Sequence, residues 1–196
     1  MSLIDFYFDV ISPYAYIAHK KIEKIKKEKN IGFLYKPILL GGLHKLANIT
    51  APGFHKFKLN NMKRDCELVS RKNNIQFHWN DKFPINSISI MRGYLFVNKN
   101  KKEEYLNKFF EAYWKENIDL SNQDNIDKVL ITMKIDPIIF KKGINDESIK
   151  KQLKKLTYEA YDKEIFGAPT FIYKHKIFWG QDRLEYVIDE FISKNN

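Results

Sequence analysis

Ser12 and Ala15 occupy two positions, one helical turn apart, where a pair of thiols would be strongly reactive. They follow an apolar run and open an amphipathic one. Ser is a favoured helix N-cap and Pro, here Pro13, a favoured first helical residue. The positive end of a helix lowers the pKa of a thiol placed there. Disulfide exchange needs two thiols, and the chain has one Cys, Cys66, far from this junction. The chain alone therefore cannot run dithiol exchange there. His19, His44, His55, His78 and His175 show no metal-ligand spacing with Cys66, so no metal is expected. Tyr14, Tyr16, Phe54 and Trp79, with His44 and His55, are candidates for the wall of an aromatic ligand site, against which core packing is the competing account.

The surrounding pattern says which elements hold these residues. Leu3 to Val10 reads as a short strand. Ala15, Ala18, Ile22 and Ile25 then recur at helical spacing, and Asn30-Ile31-Gly32 ends the helix. Phe33 to Leu40 reads as a second strand, closed by Gly41-Gly42. The middle is helical. Helices are expected over Asn60 to Lys72, Asn86 to Val97, Lys101 to Trp114, Gln123 to Met133, Asp136 to Lys142 and Glu147 to Lys163. Thr170 to Tyr173 and Ile177 to Trp179 read as a hairpin. Asp182 is placed to cap a last helix with Leu184, Val187, Ile188, Phe191 and Ile192 on one face. The order is β-α-β, a helical block, then β-β-α.

That order is an α/β, thioredoxin-like fold interrupted by a large all-helical insertion. Residues 1–42 and 165–196 would form the thioredoxin-like part and residues 43–164 the insertion. In this fold the proline of Gly167-Ala168-Pro169-Thr170 is cis and faces the first helix's N-terminus.

Four motifs carry a closer resemblance. They are Phe6-Tyr7-Phe8-Asp9 with Ser12-Pro13-Tyr14, then Lys36-Pro37-Ile38-Leu39-Leu40-Gly41-Gly42, then Phe166-Gly167-Ala168-Pro169-Thr170-Phe171, and Phe178-Trp179-Gly180-Gln181-Asp182-Arg183-Leu184. In this order the chain resembles the 2-hydroxychromene-2-carboxylate isomerase family. That family is similar to the kappa class of glutathione transferases and shares a DsbA-like thioredoxin fold. The resemblance spans nearly the whole chain.

It implies an enzyme that uses glutathione as cofactor, in the cytoplasm, as a homodimer. Ser12 matches the serine that holds the glutathione sulfur, so sulfur chemistry is borrowed from the cofactor. Ala168 would offer its backbone to the cysteinyl part, and Pro169 would fix that geometry. Gln181 and Asp182 match positions at the γ-glutamyl end, where Asp182 can pair with the ammonium. Gln181 stands where the transferases commonly have serine. Ala51-Pro52-Gly53 resembles the glutathione loop, so Lys58 falls on a lysine that binds the glycyl carboxylate. Asn48 resembles the family asparagine but sits one residue too far from Pro52-Gly53. The implied substrate is a small aromatic or conjugated keto acid. The alternatives are a kappa-like transferase or peroxidase, then a thiol–disulfide oxidoreductase, then a non-catalytic basic binding module.

Composition agrees with a single folded unit of 196 residues, with 44% hydrophobic residues and 15% aromatic. No apolar run is long enough for a membrane span, and the opening residues from Met1 lack the pattern of a secretory signal. The 34 Lys and Arg exceed the 24 Asp and Glu by 10. Only four are Arg, the residue best suited to phosphate and base contacts, and the lysines are scattered. No nucleic-acid partner is expected. A positive field that favours anionic small molecules is.

Overall fold

The computed structural model describes residues 3–29 and 31–194. Met1, Ser2, Asn195, Asn196 and the expected helix stop at Asn30 lie outside the described residues.

The chain opens with β1 (Ile4–Phe8), α1 (Pro13–Lys29) and β2 (Phe33–Pro37). Seven α-helices follow before the next strand: α2 (Leu40–Leu46), α3 (Lys56–Lys72), α4 (Ile88–Phe96), α5 (Lys102–Trp114), α6 (Gln123–Thr132), α7 (Pro137–Gly143) and α8 (Glu147–Asp162). The hairpin β3 (Thr170–Tyr173) and β4 (Lys176–Trp179) then leads into α9 (Leu184–Ser193). Among the described residues the strands form one sheet in the order β2-β1-β3-β4. β1 runs parallel to β2, with Ile4 opposite Phe33 and Phe8 opposite Pro37. β1 runs antiparallel to β3, with Phe6 opposite Phe171. This is the thioredoxin-like α/β architecture with a helical insertion, as expected.

Local rules account for several helix starts. Ser12 caps α1, its Oγ accepting the Ala15 N–H at 3.2 Å. Asp136 caps α7, accepting from the Ile138 and Ile139 N–H groups at 2.7 and 3.2 Å. Two expectations fail. Gly41-Gly42 does not close the unit but lies inside α2. Glycine disfavours helix, yet this one is supported from elsewhere. Leu43 is buried against Tyr7, Ile38 and Ala160. The Leu39 and Leu40 N–H groups are taken by the Thr157 hydroxyl at 3.0 Å and the Asp9 carboxylate at 2.8 Å. Asp182 does not cap α9. It sits in a 3-10 turn, Gln181–Arg183, that precedes the helix without a side-chain cap.

One apolar cluster runs from the sheet into the helical block. Phe8 of β1 meets Tyr94 of α4 edge-on at 5.2 Å and Phe110 of α5 at 6.3 Å. His19 stacks on Phe110 within this cluster. Burial there pushes its pKa down to about 3, so the ring is neutral near pH 7 and its approach to Glu23 is not an ion pair. No helix among the described residues is long and apolar enough to cross a membrane.

Candidate active site

The loop from β1 into α1 carries Ser12, and the helical block holds that loop in place. The Val10 carbonyl accepts the Trp114 Nε1–H at 2.8 Å. The Val10 N–H reaches the Met91 sulfur at 3.4 Å. Asp9 is fully buried and accepts three hydrogen bonds. Its Oδ1 takes the Ile11 N–H at 3.1 Å, and its Oδ2 takes the Leu40 N–H at 2.8 Å and the Ser87 hydroxyl at 3.0 Å. Burial pushes the Asp9 carboxyl up to about 6, against the hydrogen bonds that favour its charged form. One carboxylate thus joins the loops after β1 and β2 to the start of α4.

Ser12 sits at the end of this frame, buried at 4% exposure. Its hydroxyl donates to the Ala168 carbonyl at 2.8 Å. The Ala168-Pro169 bond is cis, and the Pro169 carbonyl accepts the Gly180 N–H at 2.9 Å. Gly180 has φ 109°, a conformation that a side chain opposes. A Cβ there would collide with Asp182 Oδ1. The chain therefore turns sharply from the cis-proline strand pair into Gln181 and Asp182. The buried Gln181 Oε1 accepts from the Lys21 ammonium at 2.7 Å. Burial holds Lys21 below its ordinary pKa, with Glu185 and Asp182 acting against that.

Ser12, Ala168, Pro169, Gln181 and Asp182 are thus brought together by a short chain of contacts. Asp182 stays exposed, with Arg183 Nε at 3.4 Å from its Oδ2. Asn48 and Lys58 are not tied to this group by any hydrogen bond or ion pair among the described residues. Asn48 is exposed, just past the end of α2, with φ 54°, a common role for Asn after a helix. Lys58 is an exposed residue in the first turn of α3. That helix does lie beside α1, since the Tyr14 hydroxyl donates to Asp65 at 2.7 Å. Lys58 is about 10 Å along the axis from Asp65.

Of the aromatic wall candidates, Tyr16 is core, its hydroxyl donating to the Gln76 carbonyl at 2.6 Å. Trp79 packs against Phe83 and Trp114. Phe54 is 73% exposed. Cys66 is fully buried beside Tyr14, and burial pushes its thiol far above the ordinary range. Sequence reasoning assigned no role to Asp9, Lys21, Ser87 or Thr157. Asp9 did leave a signal, a carboxylate ending an apolar strand three residues before Ser12. Lys21 and Thr157 lie on helices among many similar polar residues, and Ser87 lies just before α4.

A family model described as "DSBA-like thioredoxin domain" matches residues 3–191. The chain belongs to this DSBA-like thioredoxin family. It is similar to a 2-hydroxychromene-2-carboxylate isomerase of Sphingobium xenophagum, 24% identical over 186 residues, covering 94% of this chain and 95% of the relative. It is 26% identical over 204 residues to glutathione S-transferase kappa 1 of Caenorhabditis elegans, covering 95% of this chain and 89% of that one. The solved structure of a 2-hydroxychromene-2-carboxylate isomerase superposes with a TM-score of 0.88, at 23% identity, covering 98% of this chain and 97% of that one. The fold is therefore shared along essentially the full length. Within the DSBA-like family, this chain has Ser12 and Ala15 where a two-thiol centre would place its sulfurs.

Proposed function

We propose that the chain is a glutathione-dependent isomerase of the 2-hydroxychromene-2-carboxylate type. The observation that carries this is the Ser12 hydroxyl against the Ala168 carbonyl, beside a cis proline, with the lone Cys66 buried elsewhere. A hydroxyl at a helix N-terminus suits a bound thiolate, and the chain's own thiol is inaccessible. The donor set thus fits glutathione. One relative is named a glutathione S-transferase, which supports the cofactor, and another a 2-hydroxychromene-2-carboxylate isomerase, which supports the reaction.

When bound, glutathione would supply a thiol for reversible addition to a conjugated keto acid, the chemistry that lets the former double bond rotate. The chain's residues hold and orient. Ser12 has one hydrogen to donate, so it turns from Ala168 to the sulfur when it acts. Ala168 then has a free carbonyl for the cysteinyl backbone. Pro13 has no N–H, so Tyr14 offers the next main-chain donor of the helix end. Asp182 takes the γ-glutamyl ammonium, and Gln181, steadied by Lys21, takes its neighbouring polar atoms. Lys58 and Asn48 serve the glycyl end. Residues 1–42 and 165–196 hold the sulfur and the γ-glutamyl end, and residues 43–164 supply the glycyl end and the substrate side. The active form is a cytoplasmic homodimer.

A kappa-like transferase is the second reading, favoured by the relative from C. elegans. The test is an activity panel with glutathione, comparing a 2-hydroxychromene-2-carboxylate, chlorodinitrobenzene and a peroxide. The isomerase reading expects glutathione-dependent turnover of the chromene acid without net thiol consumption. Consumption of thiol with chlorodinitrobenzene or the peroxide alone would move the assignment to the transferase. No calorimetric binding at millimolar glutathione would remove both.

A further inference from the structure

A cleft of about 490 Å³ opens between α2, α4 and α8. Leu39, Ile88 and Leu153 give it an apolar lining. Lys45, Arg92, Lys150 and Lys154 supply cations, and no acidic side chain lines it among the described residues. Two of the four are already compensated. Lys150 pairs with Glu147 at 2.7 Å, and the Lys154 ammonium lies 5.7 Å from the centre of the Tyr158 ring. Arg92 and Lys45 make no ion pair among the described residues. Arg92 Nε is enclosed and has no hydrogen-bond partner. Enclosed in this way the Nε is out of reach of the cleft, so a ligand would be met by the two terminal guanidinium nitrogens. The Thr157 hydroxyl is not a spare group, because it accepts from Leu39 and donates to the Leu153 carbonyl.

We infer that this cleft binds an amphipathic organic carboxylate, a flat apolar body ending in one acid group. The apolar lining takes the body. The forked guanidinium of Arg92 takes the carboxylate, with Lys45 at the rim as a second charge. A neutral ligand would leave both cations of the cleft without a counter-charge. A highly charged one, such as a polyphosphate, would find too few donors and too much apolar surface. The site is separate from the glutathione reading and stands without it. Its walls nevertheless share a brace with the Ser12 loop, because Asp9 bonds both Leu40, beside Leu39, and Ser87, beside Ile88.

The test uses 2-naphthoate and its neutral counterpart, 2-naphthalenemethanol, titrated calorimetrically into the full-length protein. The wild type is expected to bind the acid at least about tenfold tighter than the alcohol. Arg92→Gln should weaken the acid about tenfold and Lys45→Gln about threefold, with the alcohol and glutathione unchanged in both. Arg92→Lys should recover part of the loss. Lys45 is exposed, so its variant keeps the fold and decides the question if Arg92→Gln unfolds. Equal affinity for acid and alcohol would overturn the site, as would acid affinity unaffected by both Gln variants.

Discussion

Ser12 and Ala168 share a hydrogen across 156 residues of sequence, the serine hydroxyl lying 2.8 Å from the carbonyl oxygen. The same oxygen of Ser12 accepts the Ala15 N–H. One side chain therefore caps α1 and docks its N-terminus on the cis-proline segment. A structural role and a chemical one meet in a single hydroxyl.

Ser12→Ala removes both bonds. Loss of the cap and of the tie to Ala168 should cost about 1–2 kcal/mol, read as a lower thermal midpoint. Turnover with glutathione should fall about tenfold or more, while calorimetric affinity changes less than turnover. Unchanged turnover would leave Ser12 with the structural role alone.

Asp9 predicts a pH dependence with a definite sign. Its carboxyl rises from 3.8 to about 6 on folding, so the folded chain holds this proton more tightly. The contribution to stability is complete below pH 3.8 and is lost as pH rises through about 6. That corresponds to about 3 kcal/mol. Asp9→Asn cannot titrate. In urea unfolding, the stability of the wild type relative to this variant should decline over that window. A constant difference across it would show that Asp9 titrates normally.

Gly180→Ala places a Cβ at φ 109° and against Asp182 Oδ1. Relief requires the turn or Asp182 to shift. A loss of about 1–3 kcal/mol is expected in denaturant unfolding. Glutathione affinity should fall with it, and Asp182→Ala should weaken binding without the stability loss. Full affinity in both variants would take the Gln181–Asp182 turn out of the binding site.

Cys66 predicts silence. A fully buried thiol with a raised pKa should not react with an aromatic disulfide reagent in the native state, and should titrate as one thiol after denaturation. Cys66→Ala should keep glutathione-dependent turnover within about twofold, because no step uses this sulfur. A large loss would return protein sulfur to the mechanism.

Much of this site is legible in the sequence. The Ser12-Pro13 helix start follows from cap preferences, and the strands and hairpin from short apolar and aromatic runs of strand length. The six expected helices appear with ends shifted by a few residues, because their apolar spacing is local. α2 was missed because Gly41-Gly42 reads locally as a break. Its support comes from Asp9 and Thr157, 31 and 118 residues away. The capping role assigned to Asp182 failed for a related reason: the turn at Gly180 sends that side chain back over its own backbone.

The sequence by itself determined the order of elements, the lack of a second thiol and the residue types at the helix end. These are written in composition and short-range spacing. Only the tertiary structure decided that Asp9 braces Ser12, that Lys21 steadies Gln181 across 160 residues, and that Arg92 and Lys45 line one cleft. No periodicity encodes such pairings. They arise when buried polar groups, cut off from water, must find partners wherever the fold brings the chain together.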